Sequence, residues 1–300
     1  MLTLKISDLK PAEIQNYLQY AIAPRPICFA STVDIKGNVN LSPFSFFNIF
    51  STNPPVCIFS PARRVRDNTV KHTLENVLNV KECVINIVNY DMVQQTSLAS
   101  VDYPKGTNEF LKAGFTELAS IIVKPPRVAE APVQLECIIQ DIIALGDQNG
   151  AGNLIIAEIK MIHIKEEILD EDGNIDQEKI DLVARLGGDW YCRVTKDSLF
   201  KVPKPVRSMG IGVDSIPFAI RNSKILTGND LGRLGNVEVL PTLQEIERVR
   251  LIPEIDKIFK SDPDDPIVRS IYLQNFAKAK LETGDVLTAW KVLLLDQQKL

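Results

Sequence analysis

The chain has 300 residues, 45% hydrophobic and 24% charged, a balance that excludes a disordered or fibrous protein and leaves room for one large domain or two ordinary ones. Its formal net charge of −4 provides no overall basic field for nucleic acid. No apolar run approaches the ~18–20 residues that span a bilayer, and residues 1–10 lack the apolar stretch of a signal peptide, so a cytoplasmic protein is expected.

In chain order, residues 26–33 read as a strand with a continuously apolar middle, residues 34–38 as a hairpin connection with a glycine near its end, and residues 39–47 as a second strand. A third strand is expected over 55–60. Over 70–79 the period changes, with Val70, Leu74, Val77 and Leu78 on one helical face. Residues 82–89 return to strand, and short helices are expected over 92–99 and 108–113. Beyond Pro125-Pro126, two Ile- and Val-rich runs, 133–145 and 153–164, flank the turn cluster 146–152 and read as a long antiparallel pair. A last short strand covers 190–194. Six or so mostly antiparallel strands with few helices predict a small β-barrel rather than a doubly wound sheet. The prolines and lysines of 201–205 read as a linker, and the helical spacings over 240–259, 266–280 and 284–295 predict a helical extension. The domain expectation is therefore 1–204 and 205–300.

The five cysteines (Cys28, Cys57, Cys83, Cys137, Cys192) are odd in number and dispersed, mostly in apolar runs. With no C-x-x-C pair and only two histidines, they are read as buried reduced thiols rather than a disulfide framework or a zinc site.

One segment combines hydroxyls, aromatics and a proline at close spacing: Ser42-Pro43-Phe44-Ser45-Phe46-Phe47-Asn48, closed by Pro54-Pro55. Such a segment can lay N–H groups and small hydroxyls along the edge of a flat polar cofactor, with Phe44 and Phe46 on one face and Phe47 on the other. Lys71 and Thr73 open the helix that follows and Asn76 lies one turn on. A helix start offers unpaired N–H groups and a partial positive charge, and Arg63, Arg64 and Arg66 add three cations just upstream. Taken alone these residues read as a solvated basic loop with a threonine cap. The neighbouring strands shift the balance toward an anion site. Ser31-Thr32-Val33 ends the first strand beside the hairpin. There is no G-x-S-x-G elbow and no G-x-x-x-x-G-K-[ST] loop, and no evident acid, base or nucleophile, which fits chemistry that belongs to a cofactor.

Several of these motifs occur together in a known order. Pro24-Arg25-Pro26-Ile27, Ser31-Thr32-Val33-Asp34, the run from Gly37 through Phe47, Asn53-Pro54-Pro55, Lys71-His72-Thr73-Leu74-Glu75-Asn76-Val77, Lys124-Pro125-Pro126-Arg127 and Leu186-Gly187-Gly188-Asp189-x-Tyr191 resemble the flavin reductase-like family of FMN-binding split barrels, over roughly residues 20–195. The family includes flavoredoxins and the reductase components of two-component flavin monooxygenases. The resemblance implies a six-stranded Greek-key split barrel, mainly β with peripheral helices, that forms a homodimer with one FMN (or FAD) per protomer. It implies that Ser31, Thr32 and the segment with Ser42, Phe44, Ser45, Phe46, Phe47 and Asn48 line the isoalloxazine and ribityl edge. Arg66, Lys71 and Thr73, supported by Asn76, would hold the phosphate, and Asp189 and Tyr191 would border the open face. His72 departs from the aspartate frequent in the family, and compact members lack the extension. The implied activity is an NAD(P)H-dependent flavin reductase that supplies reduced flavin or electrons to a partner monooxygenase or redox protein. A flavoredoxin-like electron-transfer flavoprotein with little NAD(P)H oxidase activity of its own, and a non-enzymatic module, are the competing expectations.

Overall fold

Strand-forming runs between residues 28 and 164 assemble, in this computed structural model, into one antiparallel sheet of seven strands. They are β1 (Cys28–Val33), β2 (Val39–Phe44), β3 (Phe47–Thr52), β4 (Pro55–Phe59), β5 (Glu82–Ile87), β6 (Val133–Ala144) and β7 (Asn153–Ile164). The order across the sheet is β2-β1-β5-β6-β7-β4-β3. The structure describes all residues except 204, 206–208, 262–264 and 298–300.

The outermost strands in this order, β2 and β3, are consecutive in sequence, joined through Ser45-Phe46, so the sheet curls into a barrel. Every strand sends side chains to one interior: Cys28 and Ala30, Phe44, Cys57 and Phe59, Cys83 and Ile85, Cys137 and Ile139, and Ile155 and Ala157 are buried together, with Phe47 packed against them. Phe44 and Phe59, from strands near opposite edges, meet with ring centroids 5.2 Å apart. The main sheet thus has seven strands where six were expected. The run 39–47 does not continue as one strand. It breaks at Ser45-Phe46, and β3 follows as a separate edge strand. Pro43 is tolerated in β2 because that strand is also an edge, where a missing N–H costs no ladder bond. All five cysteines are free. Four lie in the barrel interior, where burial pushes the Cys28 thiol well above its ordinary pKa.

The helices of the first unit are α1 (Pro11–Ala21), α2 (His72–Asn79), α3 (Val93–Ala99) and α4 (Glu109–Ala113). Helix α2 packs Leu74 and Val77 onto the barrel interior. Phe29, Leu41 and Phe110 belong to a second cluster outside the barrel. Short strands Arg25–Pro26, Val183–Arg185 and Tyr191–Arg193 form a separate three-stranded sheet.

Helix α1 was not foreseen in the sequence, since no residue on it is buried and its register leaves no strong apolar stripe. It is anchored from outside. The Arg25 guanidinium donates to the carbonyls of Gln19 (2.6 Å), Ile22 (2.8 Å) and Leu186 (2.8 Å). Tyr20 lies against Gly187, where an added Cβ would stand 2.3 Å from the ring. The glycine pair therefore serves a close approach rather than a turn alone. His163 is structural: its Nε2 lies 2.7 Å from Oε1 of the buried Glu136, which also accepts from the Ile121 and Ile122 N–H groups.

From Lys201 onward the chain forms a second compact unit, with helices α5 (Phe218–Arg221), α6 (Gly228–Gly235), α7 (Leu243–Arg248), α8 (Pro253–Ser261), α9 (Pro266–Glu282) and α10 (Val286–Gln297). The linker expected over 201–205 includes Lys204, which lies outside the described residues. The unit has its own core around Leu234, Ile255, Leu273, Leu281 and Trp290, and the Trp290 indole donates to the Leu234 carbonyl at 2.9 Å. A chain ending at Phe200 is expected to keep its β-rich circular dichroism and cooperative melt, because none of the first unit's core residues lies beyond that point. Loss of the cooperative transition would reject autonomous folding of the first unit.

Candidate functional site

The site is built where β2 ends and α2 begins. Lys71 is the N-cap of α2, and its carbonyl accepts from the N–H groups of Leu74 and Glu75. The His72 and Thr73 N–H groups therefore lie ahead of the first intrahelical bond, at the positive end of the helix. Arg64 lies beside them. Its Nη1 donates to the Val70 carbonyl (2.6 Å) and the Thr69 hydroxyl (3.0 Å), and its guanidinium pairs with Asp102 at 2.9 Å. Burial drives the Lys71 ammonium below the usual lysine pKa. Asp102 opposes that shift and Arg64 adds to it. Among the described residues no carboxylate lies within salt-bridge distance of Lys71. A partly desolvated cation beside a second cation and a helix start is a setting that an oxyanion relieves.

Three hollows flank the segment 42–46. A small polar notch is lined by Ser42, Pro43, Arg64, Lys71 and Ser100. A cavity of about 610 Å³ opens from the same two cations and is walled by Ile14, Leu18, Phe46 and Val65. On the other side a cavity of about 320 Å³ is lined by Pro43, Phe44, Ser45, Ser97 and Tyr191. Cations at one end, hydroxyls in the middle and apolar or aromatic walls beyond form a donor set that fits a phosphorylated, flat heteroaromatic group.

The residues singled out in the sequence take different places. Ser42 lines the notch, Phe44 and Ser45 one large cavity, and Phe46 and Lys71 the other. Phe47 turns toward the barrel interior, and Asn48 is exposed on β3, where its side chain accepts from the Ile49 N–H. Ser31, Thr32, Thr73 and Asn76 are buried. Their side chains make a layer beneath the site: Thr73 donates to Asn40 (2.9 Å), Asn40 donates to Glu109 (3.0 Å), and Asn76 donates to Thr32 (3.1 Å). The Ser31 hydroxyl is buried and has no hydrogen-bond partner among the described residues. Arg66 points to solvent, paired with Asp67 at 3.0 Å, whereas Arg64, two residues earlier, faces Lys71's surroundings. Sequence reasoning flagged the arginine cluster, but in an irregular loop nothing in the pattern says which guanidinium turns inward. It missed Asp102 and Ser100 altogether, because both lie in the irregular stretch after α3 with no periodicity to place them.

The chain is similar to several known proteins. The model of the flavin reductase like domain matches residues 20–179. An uncharacterized protein of Aquifex aeolicus is 38% identical over 181 residues, covering 60% of this chain and 90% of its own. Nitrilotriacetate monooxygenase component B from Bacillus cereus superposes with a TM-score of 0.63 at 27% identity, over 67% of this chain and 98% of its own. The 2-nitrobenzoate 2-nitroreductase of Pseudomonas fluorescens superposes with a TM-score of 0.59 at 26% identity, over 70% of this chain and 100% of its own. The family match ends before the second unit begins at Lys201. Matched by that family model over more than half its length, the chain belongs to the flavin reductase-like family.

Proposed function

We propose that the chain is an FMN-dependent NAD(P)H:flavin oxidoreductase that delivers reduced flavin or electrons to a partner. The observation that carries this reading is the placement of Arg64 and Lys71, beside the start of α2, on both the polar notch that Ser42 lines and the larger cavity that Phe46 walls. When bound, FMN supplies hydride acceptance from a nicotinamide and onward transfer of electrons. The chain supplies position and electrostatics. Lys71, Arg64 and the open N–H groups of α2 hold the phosphate. The Ser42 and Ser45 hydroxyls sit along the segment assigned to the ribityl chain and ring edge. Asp102 keeps Arg64 oriented, and the buried layer of Thr32, Asn40, Thr73, Asn76 and Glu109 fixes α2 against the barrel. No acid or base is needed for hydride transfer.

The similarity to a monooxygenase component B supports a partner monooxygenase as the recipient. The edge strand β3 supports a homodimer: Ile49 and Phe50 are 59% and 64% exposed on it. Anaerobic titration of the purified protein with FMN, followed by NADH or NADPH, tests the activity. Stoichiometric flavin absorbance that bleaches on adding the nicotinamide is the expected result. Binding without bleaching would reject the reductase in favour of an electron carrier, and no binding would reject the flavin reading.

A further inference from the structure

Beyond the cavity beside Phe44 and Ser45 lies another, of about 390 Å³, on the far side of a shared wall. Ser97, Arg185, Asp189 and Tyr191 line both. The outer cavity is within the ~300–1,000 Å³ of small-molecule sites. It contains two stacked pairs. The Arg185 guanidinium lies 4.5 Å from the Tyr191 ring centroid, and that of Arg193 lies 3.7 Å from the Tyr90 centroid.

The two arginines differ in one respect that matters. Arg193 is neutralised by a two-point contact with Asp181, 2.7 Å at each oxygen, and so stiffens the Tyr90 wall. Arg185 donates to the Gly188 carbonyl at 2.5 Å but, among the described residues, pairs with no carboxylate within salt-bridge distance. It is therefore a fixed cation with donors to spare, stacked on the Tyr191 ring at the junction of two cavities. Asp189, exposed at the same junction, offers acceptors to hydroxyl groups and would oppose a second anion close to it.

We propose that this outer pocket binds the adenosine diphosphate group of a dinucleotide, with Arg185 on the phosphates, an aromatic wall of Tyr90 or Tyr191 against the purine, and Asp189 accepting from ribose hydroxyls. The chemistry follows from the parts: a guanidinium fork matches phosphate oxygens, tyrosine faces stack on heteroaromatic rings, and the shared wall lets one extended ligand reach from this pocket to the Pro43–Ser45 segment. The inference rests on the flavin reading above. The owner is the nicotinamide reductant: FAD carries two phosphates, one of which is the FMN phosphate assigned to Lys71 and Arg64, so its diphosphate does not also reach Arg185.

The test uses ADP as the probe and the full chain. Trp190 is 70% exposed and adjacent in sequence to Asp189 and Tyr191, so its fluorescence reports occupancy. Saturable quenching by ADP is expected, with Arg185→Ala weakening it by about tenfold, the loss of one charge-assisted contact. Arg185→Lys should recover part of the affinity, and Tyr90→Ala should weaken ADP while leaving FMN affinity within about twofold, since Tyr90 lines only the outer pocket. Melting curves identify any variant that fails to fold, and the remaining variants then decide. If Arg185→Ala also raises the KM for NADH, the reductant owns the site. If Arg185→Ala leaves the KM for NADH unchanged, the pocket does not serve the reductant and the inference fails. Wild-type protein that reduces FMN with NADH yet shows no saturable ADP binding overturns the inference and leaves the reductase reading intact. Protein that binds ADP but no flavin does the reverse.

Discussion

Lys71→Ala should weaken FMN by about ten- to a hundredfold while changing riboflavin by less than about twofold, because a charge-assisted phosphate contact is worth about 1.5–3 kcal/mol and riboflavin has no phosphate to lose. The contrast between the two ligands is what makes the experiment specific. A general loosening of the loop would lower both affinities together. Arg64→Ala should act in the same direction but also destabilise the fold, since Arg64 holds the Val70 carbonyl and Asp102 as well as facing the site. Arg66→Ala should leave FMN within about twofold, since its side chain is 75% exposed and already paired with Asp67. Thr73→Val should cost stability and not discriminate between the ligands, because the buried hydroxyl is committed to Asn40. Equal losses of FMN and riboflavin with Lys71→Ala would reject the phosphate assignment, and a large effect from Arg66→Ala would reverse the roles of the two arginines. Fluorescence titration of each variant with both flavins measures all of this on one scale.

The barrel was legible because its strands carry their own signals. The runs now seen as β4, β5, β6 and β7 are rich in β-branched residues and bounded by turn clusters, so period and boundary agreed to within a few residues. β3 was not legible. Its sequence, Phe-Asn-Ile-Phe-Ser-Thr, has no consistent alternation, and it lies at an edge with a register irregularity between Ile49 and Ser51, so only tertiary pairing with β4 defines it. Helix α1 escaped for a related reason: its position depends on Arg25 and the Gly187-Gly188 pair, some 165 residues away in the chain. At the site, residue types pointed to an anion near α2, but side-chain direction did not follow from type. Thr73 and Asn76 turned inward to support the helix, Lys71 stayed at the cavity, and Arg64 is held inward by the Val70 carbonyl and its close pair with Asp102, whereas Asp102 stands 3.9 Å from the exposed Arg66; no local pattern connects Asp102 to either arginine.

The second large effect concerns β3. It closes one side of the barrel by pairing with β4 alone and presents Ile49 and Phe50 to solvent, an arrangement that invites association along the edge. If two copies meet there about a two-fold axis, each side chain is buried twice in the assembly. Removing four such side chains, at about 1.5–3 kcal/mol apiece, and placing carboxylates in their stead is enough to shift dissociation by several orders of magnitude. The Ile49→Asp, Phe50→Asp double variant should therefore sediment as a single chain of 33.5 kDa at micromolar concentrations where the parent is expected to sediment as a dimer. Because both side chains point away from the buried core, the variant should keep the parent's circular dichroism, which separates loss of association from loss of fold. A variant that stays dimeric places the interface elsewhere, and a parent that is already monomeric at those concentrations removes the dimer from the proposal. The outcome also bears on the flavin, since Phe46, which walls the cavity beside Lys71, immediately precedes β3 in the chain. If FMN affinity falls with the dimer while Lys71 is intact, the partner's approach to this edge is part of how the cofactor is held.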